Sequence, residues 1–266
     1  MIVEPAPAKL NLALHVRTRR ADGYHELETL FAFVEHGDVV TVETAAADSF
    51  KVTGSFAAAL TGEGDNLVTR AAARFVEHFG GGAHAITLDK RLPVASGIGG
   101  GSADAAATLR ALGRLHNVPN EAMFGVADSL GSDVPACLLG RTAIGRGRGE
   151  RLEPLPGRPG TPVLLVNPRV AVSTAEVFRR WDGVDHGPLG PDPLKGRNDL
   201  EKPAREIAPV IGEVLELLAA QPGARLVRMS GSGATCFALF DTPQVSEAAA
   251  IAMRPDWWVQ ATRLAP

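Results

Sequence analysis

Cysteine is nearly absent: Cys137 and Cys236 are the only two in 266 residues. Two thiols make neither a disulfide framework nor a four-thiolate metal site, and a reducing cytoplasm is the expected setting. Long apolar runs are missing as well, and none approaches the ~18 residues that crossing a bilayer takes. Met1 to Leu14 has a proline-broken start and a lysine inside its apolar stretch, so neither a signal peptide nor a membrane span is expected there. No sign of charge dominates, since 27 Lys+Arg stand against 30 Asp+Glu for a formal net charge of −3. Aromatic residues are only 5% of the chain, and Tyr24 is the one tyrosine. A nucleic-acid binder would show a basic stripe interleaved with aromatics, so that class is set aside, and so is attachment to an anionic membrane. An anionic ligand must then be held by a local site. Apolar content of 45% and charged content of 21% are ordinary globular values, enough for one large domain or two small ones.

Familiar chemical motifs are lacking too. None of the five lysines follows a glycine, which removes a Walker A loop. There is no His-Glu-x-x-His and no Gly-x-Ser-x-Gly. Gly97-Ile98-Gly99 begins like a dinucleotide fingerprint, but Ser102 stands at the third glycine position and no strand–helix unit opens the chain. A Rossmann dehydrogenase is therefore not expected.

What is present reads as mixed helix and strand. Residues 8–16 alternate, with Leu10, Leu12, Leu14 and Val16 on one face and Lys9, Asn11 and His15 on the other. Val39–Val42 and Ala85–Leu88 predict strands. The spacing of Leu67, Ala71, Phe75 and Phe79 predicts a helix over 66–79. A second helix is expected over 102–116 with Ser102 as N-cap, and a third over 121–130, stopped by Gly131. The stretch 153–162 holds four prolines and two glycines, which places a domain boundary there, between 1–155 and 161–266. Beyond it come a strand at 163–166, a helix start near Thr174, a helix over 207–220, and strands at 225–229 and 236–239. A further helix and a terminal strand at 257–262 close the chain. Without strict βαβ alternation, the class is α+β.

Five segments could carry chemistry. Pro93-Val94-Ala95-Ser96-Gly97-Ile98-Gly99-Gly100-Gly101-Ser102-Ala103 leads straight into a helix. Its glycines let the backbone approach a ligand closely, and the helix start adds unpaired N–H donors and partial positive charge. Such a loop can cradle phosphates without a lysine. Asp104, in the first helical turn, must point away from a bound phosphate or toward a metal. Lys9 and Asn11 share one strand face, which is either solvated or one wall of a site. Asp133, just before an apolar run, is either a turn or cap aspartate or a reactive carboxylate. Tyr24 and His25 follow an Asp-Gly turn and could hold a planar heterocycle, or could simply form a hairpin tip. The small-residue loop Met229 to Thr235 could shape an anion or sugar site, or only a tight corner. The arginines at 17–20 and 146–151 read as solvated surface, Arg20 being the one that abuts the Tyr-His turn.

Together these segments resemble the GHMP kinase superfamily. Pro93 to Ala103 is similar to its ATP loop and Met229 to Thr235 to its C-terminal glycine motif. Pro7-Ala-Lys-Leu-Asn-Leu12, Arg20-Ala-Asp-Gly-Tyr-His25, Gly131-Ser-Asp-Val-Pro135 and Ser230-Gly-Ser-Gly233 resemble, more narrowly, the branch acting on a cytidine diphosphate-linked methylerythritol in non-mevalonate isoprenoid synthesis. The resemblance implies an N-terminal domain like a ribosomal-protein domain and a ferredoxin-like C-terminal domain. It implies ATP over Pro93 to Ala103, with Asn66 near the adenine, and Mg²⁺ with metal ligands unknown. It implies Asp133 as catalytic base with Lys9 as its partner. Tyr24 and His25 would hold the cytosine, Phe178 would be the opposing ring, and Thr174 and Asn11 would contact the substrate. Ser96 stands where the family often has glycine, and Ala103 where it often has serine. Rival readings are another GHMP small-molecule kinase, of homoserine or mevalonate type, and a non-catalytic nucleotide sensor. A monomer or weak homodimer is expected.

Overall fold

The computed structural model describes residues 1–60 and 66–266. In chain order the elements are β1 (Ile2–Arg19), β2 (His25–Thr44), β3 (Ser49–Thr53), α1 (Leu67–Phe79), β4 (His84–Asp89), α2 (Gly100–His116), α3 (Phe124–Leu130), α4 (Val134–Leu139), β5 (Ala143–Gly147) and β6 (Arg151–Pro154). They continue with β7 (Pro162–Asn167), α5 (Thr174–Arg179), α6 (Glu201–Ile207), α7 (Val210–Ala219), β8 (Ala224–Met229), β9 (Cys236–Phe240), α8 (Pro243–Ile251) and β10 (Trp258–Arg263).

Packing divides the chain into two compact units. The first holds Met1–Ala8, Gly37–Val94 and Gly99–Gly140, and the second holds Lys9–His36, Ala95–Ile98 and Arg141–Pro266. This division by packing is discontinuous in sequence, unlike a cut between 155 and 161, because β1 and β2 each have residues in both units.

In the first unit β3 runs parallel to β4, and β4 pairs antiparallel with the far end of β2, Val40 facing Leu88 and Val42 facing Ile86. Helices α1 and α2 pack together. The buried stripe of α1 is Val68, Ala71 and Phe75, and Asn66 caps it with a side chain that accepts from the amides of Val68 and Thr69. Helix α2 starts two residues earlier than expected. Gly99, not Ser102, is its N-cap, in the left-handed conformation (φ 66°), and no side chain caps it. Glycine takes that conformation without steric penalty, so the helix can begin inside the glycine run. The expected third helix is split into a 3₁₀ turn, Asn120–Met123, and α3.

In the second unit β2 pairs with β5, and β5 with β6. Neither β5 nor β6 was expected, since the Gly-Arg run from Gly145 to Arg151 carries no apolar alternation. A four-stranded antiparallel sheet has the order β10-β7-β9-β8. In chain order these are its fourth, first, third and second strands, with helices after the first and third, which is the ferredoxin-like arrangement. The helix expected over 207–220 is two helices. Pro209 forces Ala208 out of helical geometry (φ −133°, ψ 85°), so α6 stops and α7 restarts. Leu14, Val16, Leu164, Val166, Val177, Ile211, Val214 and Phe240 belong to the core of this unit.

Candidate active site

The polar face of β1 is not solvated. Lys9 is 3% exposed and Asn11 2%. Buried polar groups need partners, and the hydrogen bonds here run in sequence. Lys9 Nζ donates to Asn11 Oδ1 at 2.8 Å, Asn11 Nδ2 donates to Thr29 Oγ1 at 2.7 Å, and Thr29 Oγ1 donates to Ala13 O at 2.7 Å. The Asn11 amide is thereby fixed with its oxygen toward the ammonium. Lys9 Nζ also lies 5.5 Å from the centre of the Phe31 ring.

The same strand meets both small-residue loops within the second unit. Lys9 N donates to Ile98 O at 2.9 Å, and Asn11 N to Ser230 Oγ at 3.2 Å. Ser230 Oγ donates to Gly97 O at 3.1 Å, and Thr235 N to Ser96 O at 3.1 Å. Asn198 Nδ2 holds the second loop from the other side, donating to Met229 O and Gly231 O at 2.7 and 2.8 Å. Thr174 Oγ1 and Ser232 Oγ lie 2.8 Å apart. Gly97 has φ +76°, and a Cβ there would lie 2.5 Å from Ser230 O and 2.6 Å from Gly233 O. The alanine variant Gly97→Ala is expected to lose roughly 2–5 kcal/mol, from ~1–2 for left-handed backbone and ~1–3 for overpacking. Chemical denaturation checks this, and a loss under ~1 kcal/mol would mean the two loops slide apart easily.

The ring cluster lies in the second unit as well. His25 sits 4.8 Å from Phe178, tilted by 31°, and 5.6 Å from Trp181, edge to face. Tyr24 is 51% exposed, with the Arg148 guanidinium 5.1 Å from its ring centre. Burial, and then the charge of Arg19, hold the His25 pKa below its usual value. A neutral imidazole offers one donor and one acceptor, which suits the edge of a base. Two of the neighbouring arginines are engaged by carboxylates, Arg17 by Glu28 and Asp185 and Arg20 by Asp22 and Glu26.

In the first unit the amides of Gly100, Gly101 and Ser102 open α2, where no intrahelical acceptor exists for them. Pro93 and Val94 precede them in this unit. Asn66 commits Oδ1 to capping α1, which leaves its Nδ2 end for a ligand. Asp133 is half-buried at the N-cap position of α4, yet its side chain makes no capping bond. Asp104 points to neither solvent nor a metal cluster: it is buried against Lys90, with Nζ–Oδ2 2.7 Å. Among the described residues no group of three or more His, Cys, Asp or Glu is placed to hold a metal ion.

Residues 66–141 match the GHMP kinases N terminal domain, and 191–258 the GHMP kinases C terminal domain. A 4-diphosphocytidyl-2-C-methyl-D-erythritol kinase of Rhizorhabdus wittichii is 57% identical over 98% of this chain and 94% of its own. This chain belongs to that kinase family. The crystal structure of a 4-(cytidine 5'-diphospho)-2C-methyl-D-erythritol kinase superposes with a TM-score of 0.86 at 39% identity, covering both chains completely. A homoserine kinase of Cytophaga hutchinsonii shares the fold, with a TM-score of 0.73 at 18% identity over 98% of this chain and 94% of its own. The α+β GHMP kinase fold read from the sequence is the fold of this kinase, and the family implies use of ATP.

Four residues with marked contacts went unnoticed in the sequence: Asn198, Trp181, and the pair Asp38 and Lys90. Lys90 stands three residues before the loop, in Asp89-Lys-Arg-Leu-Pro93, and a lysine so close to a glycine run was a usable signal. Asn198 and Trp181 lie in a polar stretch without periodicity, and only their distant partners give them meaning.

Proposed function

We propose that the chain transfers the γ-phosphate of ATP to the 2-hydroxyl of 4-diphosphocytidyl-2-C-methyl-D-erythritol, a step of non-mevalonate isoprenoid synthesis. The observation that carries this reading is the 57% identity to a kinase of that name, running almost end to end. The ring cluster supports it. A cytosine needs a flat partner and a donor–acceptor edge, and His25, Phe178 and Tyr24 provide these, whereas homoserine or mevalonate would leave them without a task. Asn11 and Thr174 would contact the methylerythritol portion.

In this mechanism Pro93 to Ala103 receives the triphosphate on backbone N–H groups, and Asn66 meets the adenine. The 2-hydroxyl is tertiary, crowded and weakly nucleophilic. Asp133 takes its proton as the oxygen attacks the γ-phosphorus, the bond to the β-phosphate oxygen breaks, and ADP leaves. The Lys9 ammonium counters negative charge on the group in transfer. Mg²⁺ supplies further charge neutralisation on the phosphates.

The test is ADP release, coupled to a dehydrogenase read-out, with ATP, Mg²⁺ and the cytidine compound, run beside homoserine and mevalonate. Turnover is expected with the cytidine compound alone. Turnover with another alcohol would keep the phosphate loop and overturn the roles of Tyr24, His25 and Phe178.

A further inference from the structure

The first unit hides a charge cluster that the reaction as described does not use. Lys90 Nζ donates to Asp38 Oδ2 at 2.6 Å and to Asp104 Oδ2 at 2.7 Å. All three side chains are at most 3% exposed. The two carboxyl groups are not equivalent. Asp38 Oδ1 accepts from the amides of Arg91 and Leu92, so with the ammonium it has three donors. Asp104 has the ammonium alone, and its Oδ1 is buried without a hydrogen-bond partner. The carboxyl of Asp38 shares the same ammonium and raises the Asp104 pKa further.

The cluster lies directly under the start of α2. A Cβ on Gly100 would be 3.1 Å from Lys90 Nζ and 3.8 Å from Asp38 Oδ2. If both carboxyl groups were ionised, the cluster would carry one net negative charge under the amides that face an incoming anion. That charge would oppose the partial positive charge of the helix start. One proton makes the cluster neutral, and Asp104, the carboxyl with fewer hydrogen-bond donors, is the one that takes it.

We propose that Asp104 is a positioning residue for the nucleotide, carrying a proton beneath the phosphate loop that must remain in place for the triphosphate to bind tightly. This rests on the reading of Gly99 to Ala103 as part of an ATP site. The direction of titration agrees. Burial drives the Asp104 pKa up, Lys90 draws it down, Asp38 adds to the rise, and the outcome is about 8. Burial disfavours the charge on Lys90, but Asp104 and Asp38 outweigh it and its pKa is raised. Among the described residues, Lys90 and Asp38 are the charged groups that act on Asp104 most. Arg91 pairs with Asp89. Arg70, Arg74, Glu77 and His78 of α1 and Glu121 of the 3₁₀ turn are exposed, Asp128 of α3 is only partly buried, and α4 contributes only Cys137. On α2 itself Arg110 and Arg114 pair with Glu4.

The experiment has two arms on the full chain. Carbon-13 carboxyl shifts of the nucleotide-free protein, with Asp104 assigned by its loss in Asp104→Asn, are expected to titrate with a midpoint near 8. A midpoint below 5 overturns the proposal without reference to ATP. In the second arm the KM for ATP is followed from pH 6.5 to 9.5. It is expected to rise above pH 8, by up to tenfold per pH unit for a single coupled proton, with kcat changing far less. The rise should vanish in Asp104→Asn, which keeps the shape and cannot ionise. A simple packing role would raise KM at every pH and leave the slope. ATP binding that is independent of pH in the wild-type protein overturns the proposal while the ATP reading stands. Failure to bind ATP at any pH overturns both.

Discussion

Replacing Asp133 by asparagine is expected to lower kcat by ~10²–10⁴, the usual worth of a general base. The amide has the size of the carboxylate and cannot take the hydroxyl proton. The position makes the experiment clean. Asp133 stands at the N-cap of α4, but its side chain makes no capping bond, and Pro135 is already in the first turn to favour the helix. The substitution therefore removes no helix cap. Steady-state kinetics with the cytidine compound, beside a thermal unfolding curve, separates an effect on chemistry from one on folding. A variant with near wild-type kcat would take Asp133 out of the proton transfer.

The second large effect is on folding. Lys90→Met is expected to destabilise the protein by about 3–5 kcal/mol, because it leaves a buried carboxylate without its cation. Asp38 is the residue that suffers. Its side chain is fully buried, and the two amides that remain cannot neutralise it. Urea denaturation measures the loss. Substituting Asp38 and Asp104 by asparagine in the Lys90→Met background should recover much of it, since it is the unpaired charge that costs. A small loss in the single variant would mean that water reaches Asp38. A pH dependence follows from the same cluster. The folded-state pKa of Asp104 lies above its unfolded value, so the native protein holds a proton that the unfolded chain releases. Asp104 therefore lowers stability progressively as pH rises from about 4 to about 8, and no further beyond that.

The sequence by itself determined the local features. Leu10 to Val16 specified a strand by alternation, Leu67 to Phe79 a helix by its period, and Gly97 to Gly101 a run that reads either as a phosphate cradle or as a flexible turn before a helix. These signals survive because each depends on residues a few positions apart. They err where one local preference overrides another. Ser102 looked like the better cap until glycine flexibility let α2 start at Gly100, and Pro209 broke a helix that the apolar spacing ran straight through. Motif order gave the family, which the full-length relatives then bore out.

Tertiary structure alone decided what the polar residues do. Alternation gives Lys9 and Asn11 one face but cannot say whether that face meets water. Thr29 and Ser230, 18 and 219 positions away from Asn11, settle that it is buried. Phe178 finds His25 at a separation of 153 positions, a meeting no periodicity encodes. The state of Asp104 lies furthest from the sequence. A first-turn aspartate on a surface helix is an ordinary ionised residue. It becomes a neutral acid only because folding removes its water, sets a second carboxyl group beside it and gives the pair one lysine to share.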